Sequence, residues 1–311
     1  MTEVRTTNGV VEIVEVSPRD GLQSEAGFVP TATKLGLIER ALAAGITRIE
    51  VASFVHPDKV PQMADAEEVM AALAARVSPP DVAFVALVLN RRGLERALAA
   101  GVREINVVVV STDEFGRRNQ GSTRDESLAV LDELASVAHA EGLRVTATVS
   151  TAFGCPFEGE VPVQALTAVA ARAAAAGVDE IALADTIGAA VPADVVERMG
   201  AVRQVTDDIA LRAHFHNSRS CGLANAYAAV QAGARALDAS IGGLGGCPFA
   251  PGATGNIATE DLTYLLARSS WRTGLDLAAL IAAARWMEEQ LGRRLPGQLS
   301  RAGPFPPRSG P

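Results

Sequence analysis

The chain has 311 residues, more than an average domain but ordinary for a (β/α) barrel built round a single core. Its 48% hydrophobic and 21% charged residues describe a globular chain, and a net charge of −8 excludes non-specific binding to nucleic acid or anionic membranes, which requires a basic face. The start "MTEVRTTNGVVEIVEV" has no signal-peptide pattern, no segment approaches about eighteen consecutive apolar residues, and Cys155, Cys221 and Cys247 show neither metal nor redox spacing, so a cytoplasmic protein without a disulfide framework is expected.

In chain order, a strand near 11–16 is followed by a helix near 31–44, a strand near 47–54, a helix near 64–76, a strand near 82–88, a helix near 91–100 and a strand near 104–110. The alternation continues with a helix near 124–141, a strand near 143–150, a helix near 162–176, a strand near 179–184 and a helix near 192–205. A strand near 209–215, a helix near 220–232, a strand near 237–241 and a helix near 258–268 complete it. One phrase recurs at the helix-to-strand junctions: "ALAAGITRIEV", "ALAAGVREINV", "AAAAGVDEIAL" and "VQAGARALDAS". In each, an alanine-rich helix ends at a glycine suited to a left-handed cap and an apolar strand begins a few residues later. Eight such units predict an α/β protein of the closed (β/α)8 TIM-barrel type, since strand and helix alternation implies parallel strands joined by right-handed crossovers. No G-x-G-x-x-G follows the first strand, which speaks against a dinucleotide site.

Beyond the eighth unit, "LDLAALIAAARWMEEQLG" predicts one or two extra C-terminal helices, and the Pro- and Gly-rich tail from about residue 296 is expected to be irregular. No linker divides the chain, so residues 1–311 are expected to form a single catalytic domain. The sequence leaves open whether the chain forms a homo-oligomer.

Active sites of such barrels lie at the C-terminal ends of the strands, and polar residues collect there. After strand 1 come Arg19, Asp20 and Gln23; strand 2 carries Glu50 and Ser53, with His56 beyond; strand 6 ends in Asp185 and Thr186. Strand 7 carries His214 and His216, two of only four histidines, which the two-residue period of a strand places on one face. Past strand 8 lie Cys247, Asn256 and Glu260. Each has a plainer reading alone: a turn residue, a helix cap, a core carboxylate or a buried imidazole. Together they fall at one end of one barrel. A carboxylate, two imidazoles and an amide oxygen suit a divalent ion with open positions for substrate; without thiolates, Mg2+ or Mn2+ is more natural than structural zinc, although Co2+, Zn2+ or Fe2+ would be tolerated.

The segments "VSPRDGLQSE", "EVASFVHPDKVPQMADAEE", "FGCPFEGEV", "ALADTIG", "HFHN" and "GGLGGCPFAPGATGNIATEDL" resemble the 3-hydroxy-3-methylglutaryl-CoA lyase family, in order and over nearly the whole chain. The run from "GLGGCP" to "GNIATEDL" is the most specific; the related isopropylmalate and homocitrate synthases look like "GxGERxGN" there. The resemblance implies Asp20, His214, His216 and Asn256 as ligands of a divalent metal, Mg2+ or Mn2+. It implies that Arg19 neutralises an enolate on a thioester, that Cys247 takes part in proton transfer, and that Glu50 and Asp185 are buried carboxylates orienting Arg19 or a ligand. Gln23, Ser53 and Thr186 would face the substrate with Arg19, and His214 or Asp20 would serve as base. The implied partner is an acyl-CoA thioester, cleaved between C2 and C3 to acetyl-CoA and a keto acid, with no nucleic acid and no membrane involved. "NRR" at Asn90–Arg92 and "GRRNQG" at Gly116–Gly121 could hold the CoA phosphates.

The chain departs from the family pattern at "HPDK" around His56, at "ALAD" before Thr186, at "HFHN", and at Thr148 where a tyrosine is common. The ligand set is intact and the substrate-facing set is not, so the same chemistry on a related acyl-CoA such as citramalyl-CoA is the alternative. A Claisen-type condensing enzyme is disfavoured by the missing "GERxGN" and short C-terminus, and a non-catalytic metal-binding barrel by the retention of Arg19 and Cys247.

Overall fold

A computed structural model describes residues 8–76, 81–246 and 255–305. Eight strands form a closed barrel: β1 (Glu12–Glu15), β2 (Arg48–Ser53), β3 (Ala83–Val88), β4 (Glu104–Val110), β5 (Arg144–Ser150), β6 (Glu180–Asp185), β7 (Ala210–Phe215) and β8 (Ala236–Ala239). All neighbours are parallel, and β1 closes on β8 with Glu12 opposite Ala236 and Glu15 opposite Ala239. The helices are α1 (Thr31–Ala43), α2 (Ala66–Ala74), α3 (Arg91–Ala99), α4 (Asp113–Asn119), α5 (Arg124–Ala140), α6 (Val163–Ala175), α7 (Pro192–Arg203), α8 (Gly222–Gln231), α9 (Thr259–Arg268), α10 (Leu277–Leu291) and α11 (Leu299–Ala302). No helix among the described residues is long and apolar enough to cross a membrane.

The helices form where apolar residues recur at helical spacing and a cap satisfies the free amides. Thr123 and Glu126 make a reciprocal capping box at the start of α5, and Asp276 accepts from the amides of Ala278 and Ala279 at the start of α10. Gly292, in the left-handed region with φ 63°, ends α10. Each helix lays a stripe on the barrel, as α1 does with Leu37, Ile38 and Ala41 and α5 with Leu128, Leu131, Leu134 and Ala135, all buried. Every leucine so buried contributes roughly 1.5–3 kcal/mol of transfer free energy, and the alanines between let helix and sheet approach closely.

The barrel interior is polar, against what the apolar strand sequences suggest. Arg48, Glu104, Thr146, Glu180 and Arg212 meet across the closed sheet toward its N-terminal end. Arg48 donates to both Glu104 and Glu180, and Arg212 Nε lies 3.3 Å from Glu180 and 3.4 Å from Asp238. Two residues further along their strands come Glu50, Asn106, Thr148 and His214, the next inward layer. The ion-pair layer thus forms the floor under the site.

The predicted elements fall within a few residues of the observed ones, with three differences. Strand 8 begins and ends earlier than expected, and residues 241–243 instead make a tight turn in which Gly242 takes φ 71°; a Cβ there would lie 2.4 Å from Leu295 Cδ1. Helix α4 and a five-residue turn at Ser17–Gly21 were not foreseen, both being too short for a periodic signal. The tail expected to be irregular contains α11, because both oxygens of Asp261 accept from Gln298 N and one also accepts from Leu299 N. A two-residue pairing of Gly9–Val10 with Trp271–Arg272 covers the N-terminal end.

Candidate active site

The turn Ser17–Gly21 presents Arg19 and Asp20 at the mouth of β1. Glu15 anchors it, accepting from the amides of Ser17 and Ile241 and from the Thr259 hydroxyl, which ties β1, the loop after β8 and α9 together. Arg19 is nearly buried and bridges two carboxylates, with Nη1 2.7 Å from Asp20 Oδ1 and Nη2 2.7 Å from Glu50 Oε2. Burial opposes its charge, but Glu50, Asp20 and Asp238 overcome that and raise its already high pKa. Burial likewise opposes the Asp20 charge and is outweighed by Arg19, then His214, His216 and the Asn256 amide, which hold this carboxyl well below the usual range. Gln23 Nε2 donates to Asp20 Oδ1 at 3.1 Å.

His214 stands opposite Asp238 of β8, and His216, just past the end of β7, bridges Asn256. The two rings lie 5.0 Å apart, edge to face. Ligand atoms of Asp20, His214 and His216 all lie within 4.8 Å of one another. Asn256 joins this group by donating from Nδ2 to Asp20 Oδ2 at 2.8 Å and to the Leu244 carbonyl, which leaves Oδ1 as the atom it could offer a cation. Gly245, at φ 122°, makes room, since a Cβ there would fall 2.8 Å from Asn256 Nδ2.

The donor set fits a divalent ion. His216 is pushed down to about 4, by burial first and then by His214, and is therefore the neutral imidazole that ligation requires at neutral pH. Its buried Nδ1 has no hydrogen-bond partner among the described residues. His214 is shifted the other way: burial lowers its pKa, but the hydrogen bond and charge of Asp238 and the charge of Asp20 raise it on balance. Its Nδ1 lies 3.1 Å from Asp238 Oδ2, leaving Nε2 for a ligand.

Behind this cluster opens a cleft of about 400 Å³, lined among others by Arg19, Gln23, Ser53, Thr186 and His216. The Ser53 hydroxyl is buried without a partner among the described residues, whereas Thr186 Oγ1 accepts from the Thr151 amide. Glu50, expected to support Arg19, does so directly. Asp185 differs from expectation in its contacts: its oxygens accept from the amides of Ala189 and Ala190, so it stiffens the loop before α7, and its link to His214 is through charge alone. Burial raises its pKa. Cys247 lies outside the described residues. His139, on α5, pairs with Asp179 just before β6, and His56 is exposed beside Asp58; neither belongs to the cluster.

Of the arginines considered for CoA phosphates, three are engaged by acids on their own helices, Arg91 by Glu95, Arg117 by Asp113 and Arg118 by Glu114. From the Gly116–Gly121 segment Asn119 and Gln120 line the cleft, and so does Lys59. Three residues escaped the sequence reading, Asp238, Asn106 and Lys59. Asp238 and Asn106 had a signal, Asp238 as the one polar residue of the strand Ala236–Ala239 and Asn106 as a polar residue two positions from Glu104 at the head of an otherwise apolar strand.

The HMGL-like family pattern matches residues 10–287. The chain belongs to the HMGL-like family. It is 45% identical over 304 residues to the (R)-citramalyl-CoA lyase of Chloroflexus aurantiacus, covering 96% of each. It is 40% identical to the hydroxymethylglutaryl-CoA lyase YngG of Bacillus subtilis, covering 93% of this chain and 95% of that one. Among solved structures, the HMG-CoA lyase of B. subtilis superposes with a TM-score of 0.91 at 38% identity, covering 96% of this chain and 99% of that one. An HMG-CoA lyase from Acinetobacter baumannii, solved with coenzyme A and 3-methylmalate, superposes with a TM-score of 0.90 at 38% identity, covering 97% of each. These relatives are lyases, the two solved ones superpose on the closed barrel, and this HMGL-like chain is an enzyme of the same kind.

Proposed function

We propose that the protein is a divalent-metal-dependent lyase that cleaves 3-hydroxy-3-methylglutaryl-CoA to acetyl-CoA and acetoacetate by a retro-Claisen/retro-aldol route. The observation that carries this is the juxtaposition of Asp20, His214 and His216 with Arg19, which turns from Asp20 to Glu50 at the edge of the same cleft. Asp20, His214, His216 and Asn256 would hold the ion, and oxygen and imidazole donors without thiolate favour Mg2+ or Mn2+. When bound, such an ion lowers the pKa of a chelated hydroxyl and fixes the adjoining acid group.

Cleavage requires the C3 hydroxyl proton to leave toward the Asp20 and His214 edge of the site. The O–H electrons then form the ketone, the C2–C3 bond breaks, and its electron pair passes through C2 to the thioester oxygen. Arg19, held on two carboxylates and so unable to swing away, offers a fixed positive charge to that oxygen. Protonation at C2 completes acetyl-CoA, and Cys247 is the residue proposed to deliver or relay that proton. Gln23, Ser53 and Thr186 are proposed to face the acyl group, and Lys59, the exposed cation on the cleft wall, suits a CoA phosphate.

A second reading is (R)-citramalyl-CoA, cleaved to acetyl-CoA and pyruvate; the 45% identity to a lyase of that name favours it. The two substrates share the 3-hydroxy-3-methyl thioester and differ by one methylene before the carboxylate, a difference worth about 1–3 kcal/mol in a fitted pocket. The test is acetyl-CoA release from each substrate with Mg2+ or Mn2+, with and without chelator. Chelator-sensitive release from 3-hydroxy-3-methylglutaryl-CoA supports the first reading; release from citramalyl-CoA alone moves the substrate and keeps the chemistry; silence on both refutes it.

A further inference from the structure

We propose that Asn106 is a catalytic residue whose amide N–H binds the thioester oxygen alongside Arg19, and that Thr148 is the positioning residue that aims it. This deepens the lyase reading and rests on it.

Asn106 and Thr148 both line the cleft, on β4 and β5, and both are nearly fully buried. Glu50 fixes the arrangement. One of its oxygens, Oε2, takes the Arg19 guanidinium at 2.7 Å, while Oε1 faces Asn106 Nδ2 at 3.4 Å. A carboxylate holding an arginine offers acceptors only, so the side of the amide turned to it is the NH2 side. The amide oxygen then faces Thr148, whose hydroxyl donates to Asn106 Oδ1 at 2.7 Å. The orientation follows from both neighbours: a flipped amide would set its oxygen against a carboxylate.

Two consequences follow. The guanidinium and the carboxamide stand side by side on the two oxygens of one carboxylate, at the wall of one cleft. In addition, the amide has two N–H bonds, one spent on the long contact to Glu50, and no other acceptor for Nδ2 lies within hydrogen-bond distance among the described residues. A second N–H is therefore available on the cleft side beside Arg19. Two donors preset beside each other are what a developing enolate oxygen requires, because they need no reorganisation as the charge forms. A buried N–H with no partner in the protein carries a desolvation cost that an acyl oxygen would relieve.

Deuterium uptake from D2O into the methyl group of acetyl-CoA, in Mn2+-loaded enzyme, isolates this step. There the C2 proton passes to the group proposed to protonate C2, Cys247, which exchanges it with D2O; the C–H electron pair moves to the thioester oxygen, and C–D forms when the pair returns to take a deuteron. The expected result is a roughly hundredfold fall in exchange and in kcat for Asn106→Ala, with Mn2+ affinity by paramagnetic resonance unchanged. Thr148→Val, similar in shape but without the hydroxyl, loses about tenfold in both, and Thr148→Ser recovers most of the loss. Exchange and kcat at wild-type rates in folded Asn106→Ala overturn the proposal, as does a loss in Thr148→Val that Thr148→Ser fails to recover. A wild-type enzyme that neither exchanges nor cleaves refutes the lyase reading itself, and this proposal with it.

Discussion

Nδ1 of His214 lies 3.1 Å from Oδ2 of Asp238, and this contact selects the imidazole nitrogen left to face Asp20 and His216. Asp238 is in turn held from behind by Arg212, 3.4 Å from its other oxygen. Removing an outer carboxylate of this kind commonly costs 10- to 100-fold in metal affinity. Asp238→Ala is accordingly expected to weaken Mn2+ binding by about that factor, with activity returning at high metal concentration. Titration of the metal-free protein with Mn2+ checks it; unchanged affinity would show that the contact only packs the barrel.

Arg19 bridges Asp20 and Glu50 with separate nitrogens, a geometry that a single ammonium does not reproduce. Arg19→Lys keeps the charge and loses the fork, so a fall of about 10²-fold or more in kcat is expected with a smaller change in KM. Steady-state kinetics on both acyl-CoA substrates measure this, and a pure KM effect would assign Arg19 to binding alone.

At the floor of the barrel Arg48 is buried between Glu104 and Glu180. Burial opposes the Glu180 charge, yet Arg212 and Arg48 hold its pKa down at about 2. Arg48→Met takes from Glu104 its close guanidinium and leaves Glu180 to Arg212 and Arg144, and is expected to cost about 3–5 kcal/mol. Combining it with Glu104→Gln and Glu180→Gln should recover part of that loss in urea unfolding, because neutral amides do not repel as two carboxylates do.

Glu260 of α9 is fully buried; Oε2 accepts from the Gly242 amide at 3.0 Å and Oε1 has no partner among the described residues. Burial pushes its pKa up to about 8 from 4.5. Between these values the unfolded chain has lost the proton while the folded one retains it, so this group's contribution to stability falls as pH rises from 4.5 and levels off above 8. Glu260→Gln keeps the acceptor and removes the titration. Thermal unfolding at pH 5 and 8.5 should show the variant gaining on the wild type only at the higher pH; parallel shifts would contradict the assignment.

Much of this protein can be read directly along the chain. Strand and helix periods, the recurrent glycine after each alanine-rich helix, and the placing of Arg19, Asp20, His214, His216 and Asn256 beyond or at strand ends are local properties of residues near one another in sequence, and they sufficed for the barrel and for the cluster of polar residues at its mouth. Pairing was not local. Asp20 meets Asn256 across 236 positions and Glu50 meets Asn106 across 56, because a closed parallel sheet sets neighbours by register and by the turn of the barrel, which no short stretch encodes. Asp238 and Asn106 therefore went unremarked in their strands, and Asp185 was expected to orient Arg19 or a ligand, until the tertiary structure showed which atoms face each other. Burial magnifies that difference: within the barrel, a charge or amide is stable only where the fold supplies its partner, so the chemistry of each group is decided by neighbours that the sequence does not place beside it.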